Sequence, residues 1–297
     1  MRLPSLGLAP LALLVACGGG GGGGGGVSED AAPRPTLFGG TRPVEIEAPA
    51  TLTPGKLYPL VLVLHGFGAN GFAQAAYLQM SGLAAADQAL VLAPDGTPNT
   101  SGQQFWNADP ACCDFGNQNP DDVAYLGGLI DDVSATWPVD PNAVFVVGHS
   151  NGGFMAYRLA CERADVISAI GSLAGLASSS AASCTPTRPV AVLQLHGTAD
   201  ATVPYTATGS GIGAVGAEGS VAQWAAHNGC DMARTAGTPL DLDNSVSGAE
   251  TTPAVTTGCP AEGAVELWRM EGSGHIPILA SGFGTTLFAW FVDHQRS

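Results

Sequence analysis

The sequence is poor in charge. Only 12% of its 297 residues are Asp, Glu, Lys or Arg, about half the usual share of a soluble domain. Positive charge is scarcest. There are 10 Lys and Arg against 25 Asp and Glu, the formal net charge is −15, and Lys56 is the single lysine. Nucleic acid is therefore excluded as the main partner, because phosphate binding needs clustered cations. No CxxC pair or His-rich spacing supports a metal site. After the N-terminal segment, no apolar run reaches the about 18 residues that a membrane span needs. Apolar residues, by contrast, are plentiful at 45%, which excludes wholesale disorder. Glycine is high at 42, but nine of these form the run Gly18–Gly26.

The N-terminus reads as an address. Arg2 is followed by an apolar stretch from Leu6 to Ala16, too short for a membrane span and suited to an export signal. Leu14-Val15-Ala16-Cys17 resembles the lipobox of bacterial lipoproteins. That resemblance implies a lipid on Cys17, which would be the chain's one link to a membrane. An ordinary secretory signal is the alternative. Residues 1–17 are thus expected to be a signal, 18–32 a polyglycine tether, and 33–297 one catalytic domain. Loss of Arg2 with the signal would leave a mature chain more acidic by one charge.

Export gives the cysteines meaning. Without Cys17 there remain Cys112, Cys113, Cys161, Cys184, Cys230 and Cys259. An even set in an oxidising compartment suggests three disulfides, though sequence alone does not fix the pairing. Chain order suggests Cys230–Cys259 around a polar insert and Cys161–Cys184 near the end of one βαβ unit. Cys112 and Cys113 would then form a vicinal bridge or stay as thiols.

Five continuous apolar runs read as strands buried on both faces: 59–64, 89–93, 143–147, 190–195 and 264–270. An alternating edge strand is expected over 42–47. Helical patterns fall between the runs, over 121–136, 151–161, 220–227 (Ser220 as N-cap) and 283–294. In the last, Phe283, Leu287, Trp290 and Phe291 share one face and read as core. Strands alternating with helices indicate an α/β fold, a mostly parallel central sheet with helices on both faces.

Gly148-His149-Ser150-Asn151-Gly152 is a G-x-S-x-G sequence between a predicted strand and a predicted helix. A serine on that turn is held in a strained backbone with its hydroxyl above the sheet. It needs a base to be nucleophilic. The chain order Ser, acid, His is met by Asp200 and His275, each in a loop after an apolar strand. Ser150, Asp200 and His275 are therefore the expected triad. Each partner alone could be an ordinary loop residue; three strand-end loops in the right order argue otherwise. The oxyanion donors are expected to be the N–H groups of Asn151 and Phe67, the latter in His65-Gly66-Phe67-Gly68.

LHGFGAN (64–70), FWNADPACCD (105–114), DDVAYLGGLIDDV (121–133), GHSNGGFMAYRLACE (148–162), LHGTADATVPY (195–205), WAAHNGC (224–230) and GHIP (274–277) occur in that order. Together they resemble the α/β-hydrolase esterases that include poly(3-hydroxybutyrate) depolymerase-like enzymes and the feruloyl and acetylxylan esterases of carbohydrate esterase family one. The resemblance runs from about residue 40 to 293 of the domain and each short piece alone is weak. It implies ester hydrolysis through an acyl-enzyme, without metal or cofactor, by Ser150, Asp200 and His275. Trp106 and the Cys112-Cys113 pair match a loop near the site. Trp106 is thus a candidate wall for the acyl group, or else loop packing, and His149 is a second candidate substrate contact. Ile276-Pro277 stands where many members have a tryptophan.

The expected substrate is a neutral ester, either a polyhydroxyalkanoate-type oligoester or a feruloyl or acetyl side chain. No binding module is visible after the domain, which favours soluble oligomers over crystalline polymer. A lipase or peptidase of the same fold and a catalytically inactive surface-binding lipoprotein are the alternatives. Nothing in the sequence bears on oligomeric state.

Overall fold

In the computed structural model, residues 33–297 are described, apart from 87, 181 and 183. The signal, the tether and Cys17 lie outside them. The strands are β1 (Leu37–Phe38), β2 (Val44–Glu47), β3 (Tyr58–Leu64), β4 (Leu90–Leu92), β5 (Thr97–Pro98) and β6 (Gln104–Phe105), then β7 (Val139–His149), β8 (Ala169–Leu173), β9 (Ala191–Gly197), β10 (Arg234–Ala236), β11 (Thr251–Thr256) and β12 (Val265–Met270). The helices are α1 (Gly71–Tyr77), α2 (Gly82–Ala85), α3 (Asp122–Thr136), α4 (Asn151–Glu162), α5 (Gly216–Asn228) and α6 (Phe283–Asp293).

The main sheet has the order β1-β2-β4-β3-β7-β8-β9-β12-β11-β10. From β4 to β12 every neighbour is parallel. The outer strands on both sides are antiparallel. Each central strand sends alternate side chains to opposite faces. In β3, Leu60, Leu62 and Leu64 join the core under α3, α4 and α5, while Val61 and Val63 join the core under α1, α2 and α6. In β7, Val144 and Val146 divide from Phe145 and Val147 in the same way. This double burial is why the strands read as continuous apolar runs.

The five apolar runs all lie on strands. α5 corrects an expectation: it begins at Gly216, and Ser220 lies inside it, not at its cap. The Ser220 hydroxyl donates to Gly216 O and accepts from Ala177 N, so it ties the helix to a loop. β8 and β11 went unseen. β8 reads Ala-Ile-Gly-Ser-Leu, and its Gly171 makes room for the Phe291 ring of α6. β11 is only half-buried, as an outer strand is: Thr251, Pro253 and Thr256 are buried, while Thr252 and Val255 are exposed. It lies in the segment read as a polar insert, which Cys230–Cys259 closes. Cys161–Cys184 and Cys112–Cys113 are also bonded. Among the described residues, no helix is long and apolar enough to cross a membrane.

Candidate active site

Parallel strands end on the same edge of the sheet, so the loops after β7, β9 and β12 converge. Ser150 sits between β7 and α4 with φ +54°, a region costly for a residue with a Cβ. Packing enforces the turn. A Cβ on Gly148 would lie 2.2 Å from the Gly152 backbone, and one on Gly152 only 2.1 Å from Leu64 O. Ser150 N–H donates to Leu173 O, 2.8 Å away on β8. The Gly152→Ala substitution should therefore cost about 3 kcal/mol or more, as overpacking against fixed backbone. Denaturant midpoints of the two proteins check this; equal midpoints would show that the turn can widen freely.

The three expected triad residues are brought together. Ser150 Oγ lies 3.0 Å from His275 Nε2, and His275 Nδ1 lies 2.7 Å from Asp200 Oδ2. The other Asp200 oxygen accepts from Thr202 N–H and Val203 N–H, both at 2.8 Å. Burial alone would raise the Asp200 pKa. The His196 N–H edge 3.4 Å away, with hydrogen bonds from His275 and the Val203 N–H, outweighs burial and holds the carboxyl well below the ordinary carboxylate range. Asp200 is thus a permanent anion at neutral pH, and its Oδ2 fixes the imidazole so that Nε2 faces the serine.

The loop carrying His275 is pinned by His149, expected as a substrate contact, and by Tyr77 and Asp243, which carried no signal in the sequence. His149 Nε2–H donates to His275 O at 2.8 Å. Tyr77 OH donates to Pro277 O at 2.9 Å, and Ile278 N–H donates to Asp243 at 2.9 Å. His149 also lines the cavity above Ser150, so its place is partly that of a strut. Burial pushes its pKa from about 6.5 to about 4. Between those values the unfolded chain binds a proton that the folded chain refuses, so stability falls as pH falls through that window. Unfolding midpoints at the two ends of the window should differ for the wild type, and less so for His149→Asn. Equal pH dependence in both would assign the slope to other groups.

The cavity over Ser150 measures about 420 Å³ and is bordered by Phe67, Tyr77, Thr202, His275 and Ile276. Ile276 is exposed and occupies the wall next to His275. Trp106 does not line this cavity. Its ring is fully buried, packs 4.9 Å from His65, and donates from Nε1 to His65 O at 3.0 Å. The expectation of an acyl wall at Trp106 is corrected to packing: the indole braces the Gly66-Phe67 loop from behind. The Asn151 amide holds the Trp106 backbone through both its ends, at 2.7 and 2.9 Å. The N–H groups flanking Phe67 are engaged, Gly66 with Gln74 and Gly68 with Gln104. A second cavity, about 440 Å³, lies between the 107–119 loop, α4 and α5, and none of the three triad residues lines it.

A mostly parallel sheet with a nucleophile turn and convergent acid and histidine loops is an α/β-hydrolase. Acetyl xylan esterase from Aspergillus awamori has this fold, with a TM-score of 0.59 over 84% of this chain and 94% of that one, at 16% identity. The carboxylesterase of Bacillus cereus gives a TM-score of 0.52 over 84% and 93%, at 15% identity. A family model described as "Putative esterase" matches residues 36–241. The chain belongs to this esterase family. Feruloyl esterase B of Piromyces equi is 31% identical over 198 residues, which is 64% of this chain and 36% of that protein. Poly(3-hydroxybutyrate) depolymerase of Ralstonia pickettii is 33% identical over 139 residues, 41% of this chain and 26% of that protein. The chain thus spans well under two thirds of the length of these curated relatives.

Proposed function

We propose that the chain is an exported serine carboxylesterase that works through an acyl-enzyme. The observation that carries the reading is the hydrogen-bonded series from Ser150 through His275 to Asp200, at 3.0 and 2.7 Å. Ser150 Oγ attacks the ester carbonyl while His275 Nε2 takes its proton. The tetrahedral oxyanion is held by the N–H groups of Asn151 and Phe67. Asn151 is the first residue of α4, so the positive end of the helix adds to that stabilisation. His275 then passes the proton to the leaving alcohol. In deacylation it takes a proton from water, which attacks the acyl carbonyl, and returns that proton to Ser150.

Relatives named for feruloyl esters and poly(3-hydroxybutyrate), and a fold shared with an acetyl xylan esterase, support small neutral acyl esters as the substrate class. The low charge of the chain agrees with an uncharged substrate. Export is supported by the three disulfides and by the apolar N-terminal segment ending in Cys17. Purified protein should hydrolyse a short-chain chromogenic ester. A panel of acetyl, butyryl, 3-hydroxybutyryl, feruloyl and long-chain esters, with a peptide control, then defines the acyl group. Turnover of the peptide and of no ester would refute the reading.

A further inference from the structure

Asp200 faces two imidazoles, and the triad uses only one. His196, on β9, is fully buried. Its Nε2 lies 2.8 Å from Val203 O and 3.4 Å from Asp200 Oδ2, the same oxygen that receives the His275 hydrogen. A carbonyl oxygen only accepts, so Nε2 carries the hydrogen. The other ring nitrogen, Nδ1, lies 3.0 Å from Gln194 Nε2.

The orientation of Gln194 is fixed from outside. Its Nε2 donates to Gly175 O at 2.8 Å, and its Oε1 accepts from Tyr157 OH at 2.6 Å. A flipped amide would set its oxygen against the Gly175 carbonyl. The amide N–H therefore points at His196 Nδ1, which must accept. A second proton on His196 would put Nδ1–H against N–H. Gln194 and Tyr157 are as buried as the histidine, so no outside solvent relieves that clash.

We propose that His196 and Gln194 are positioning residues: they set a second imidazole, held neutral, with its Nε2–H edge 3.4 Å from the Asp200 carboxylate, so that the proton taken from Ser150 resides on His275 alone. The proposal rests on the triad reading above. A carboxylate beside two equivalent imidazoles could share the proton between them. The Gln194 amide makes the two unequal. It closes His196 to a second proton, whereas His275 Nε2 faces only the serine hydroxyl. Other titratable or charged side chains around the pair are His149, whose ring is 5.0 Å from that of His275, and Tyr205, whose ring is 5.8 Å from that of His196. Tyr205 OH donates to Glu218, and Arg269 sits opposite His196 in register on β12. None of these four bonds to His196 Nδ1.

The test is steady-state ester hydrolysis across pH for three variants of the full chain. His196→Leu should lower kcat about tenfold, because it removes both the N–H edge beside Asp200 and the bond that holds Val203 O, with KM within about twofold. The acid limb of its kcat/KM profile should move to higher pH, because a carboxylate relieved of the nearby N–H dipole draws the proton more strongly onto His275. His196→Gln, whose amide reaches the Nε2 position, should restore most of the rate. Gln194→Met, which removes the N–H aimed at Nδ1, should move the acid limb the opposite way, because a second proton on His196 is then no longer opposed and a cation is admitted beside Asp200. If His196→Leu does not fold, the other two variants decide. Lower stability and activity with unmoved limbs in all folded variants would mean packing alone and would overturn the proposal. Ser150→Ala run in parallel separates the two levels: if it keeps wild-type turnover the triad reading fails, whatever His196 does.

Discussion

Ser150→Ala should lower kcat for a short-chain ester by about six orders of magnitude, the loss typical of removing a nucleophile that acts as a unit with its base. The oxygen that would bond to the acyl carbon is gone, and His275 then has no hydroxyl proton to take. Little else changes. Ser150 Oγ bonds to His275 Nε2, so its removal frees one imidazole nitrogen at the cavity floor. The turn is shaped by Gly148, Gly152 and the bond from Ser150 N–H to Leu173 O, all of which alanine keeps. Folding midpoint and KM should therefore stay close to wild type. Measured turnover within tenfold of wild type would remove Ser150 from the chemistry.

Asp200→Asn should cost about four orders of magnitude in kcat, for a reason of tautomers and not of charge alone. Asp200 Oδ1 accepts from Thr202 N–H and Val203 N–H. An asparagine keeps those bonds only by placing its oxygen there. Its NH2 group then points at His275 Nδ1, which must become an acceptor. The imidazole hydrogen moves to Nε2, where it faces Ser150 and can take no proton. Steady-state kinetics with a folded-state control checks this. A loss of less than about tenfold would mean that His275 works without an orienting acid, against the usual behaviour of such triads.

The central strands and the three triad positions were legible because both depend on local pattern. A strand buried on both faces is apolar throughout, and a strand-end loop can be located once the strand is. β8 was not legible, since Gly171 and Ser172 interrupt its apolar run where α6 packs close. β11 was hidden in a Thr-rich segment because only half of its residues are buried. Trp106 shows a different limit. Its place in the chain put it near the site, but the side-chain direction is set by the His65 carbonyl and the Asn151 amide, both distant in sequence. His196 carried a signal that went unused. Gln194 and His196 are two residues apart on one strand and so share a face, and Asp200 follows four residues later.

The most direct test of the central claim is a fluorophosphonate label followed by peptide mass mapping. One adduct per chain is expected, on the peptide containing Ser150, and none in Ser150→Ala. Because the reagent needs an activated serine, His275→Ala should label far more slowly while remaining folded. An adduct on another residue, or a folded wild-type chain that takes no label, would contradict the assignment of Ser150 as the nucleophile.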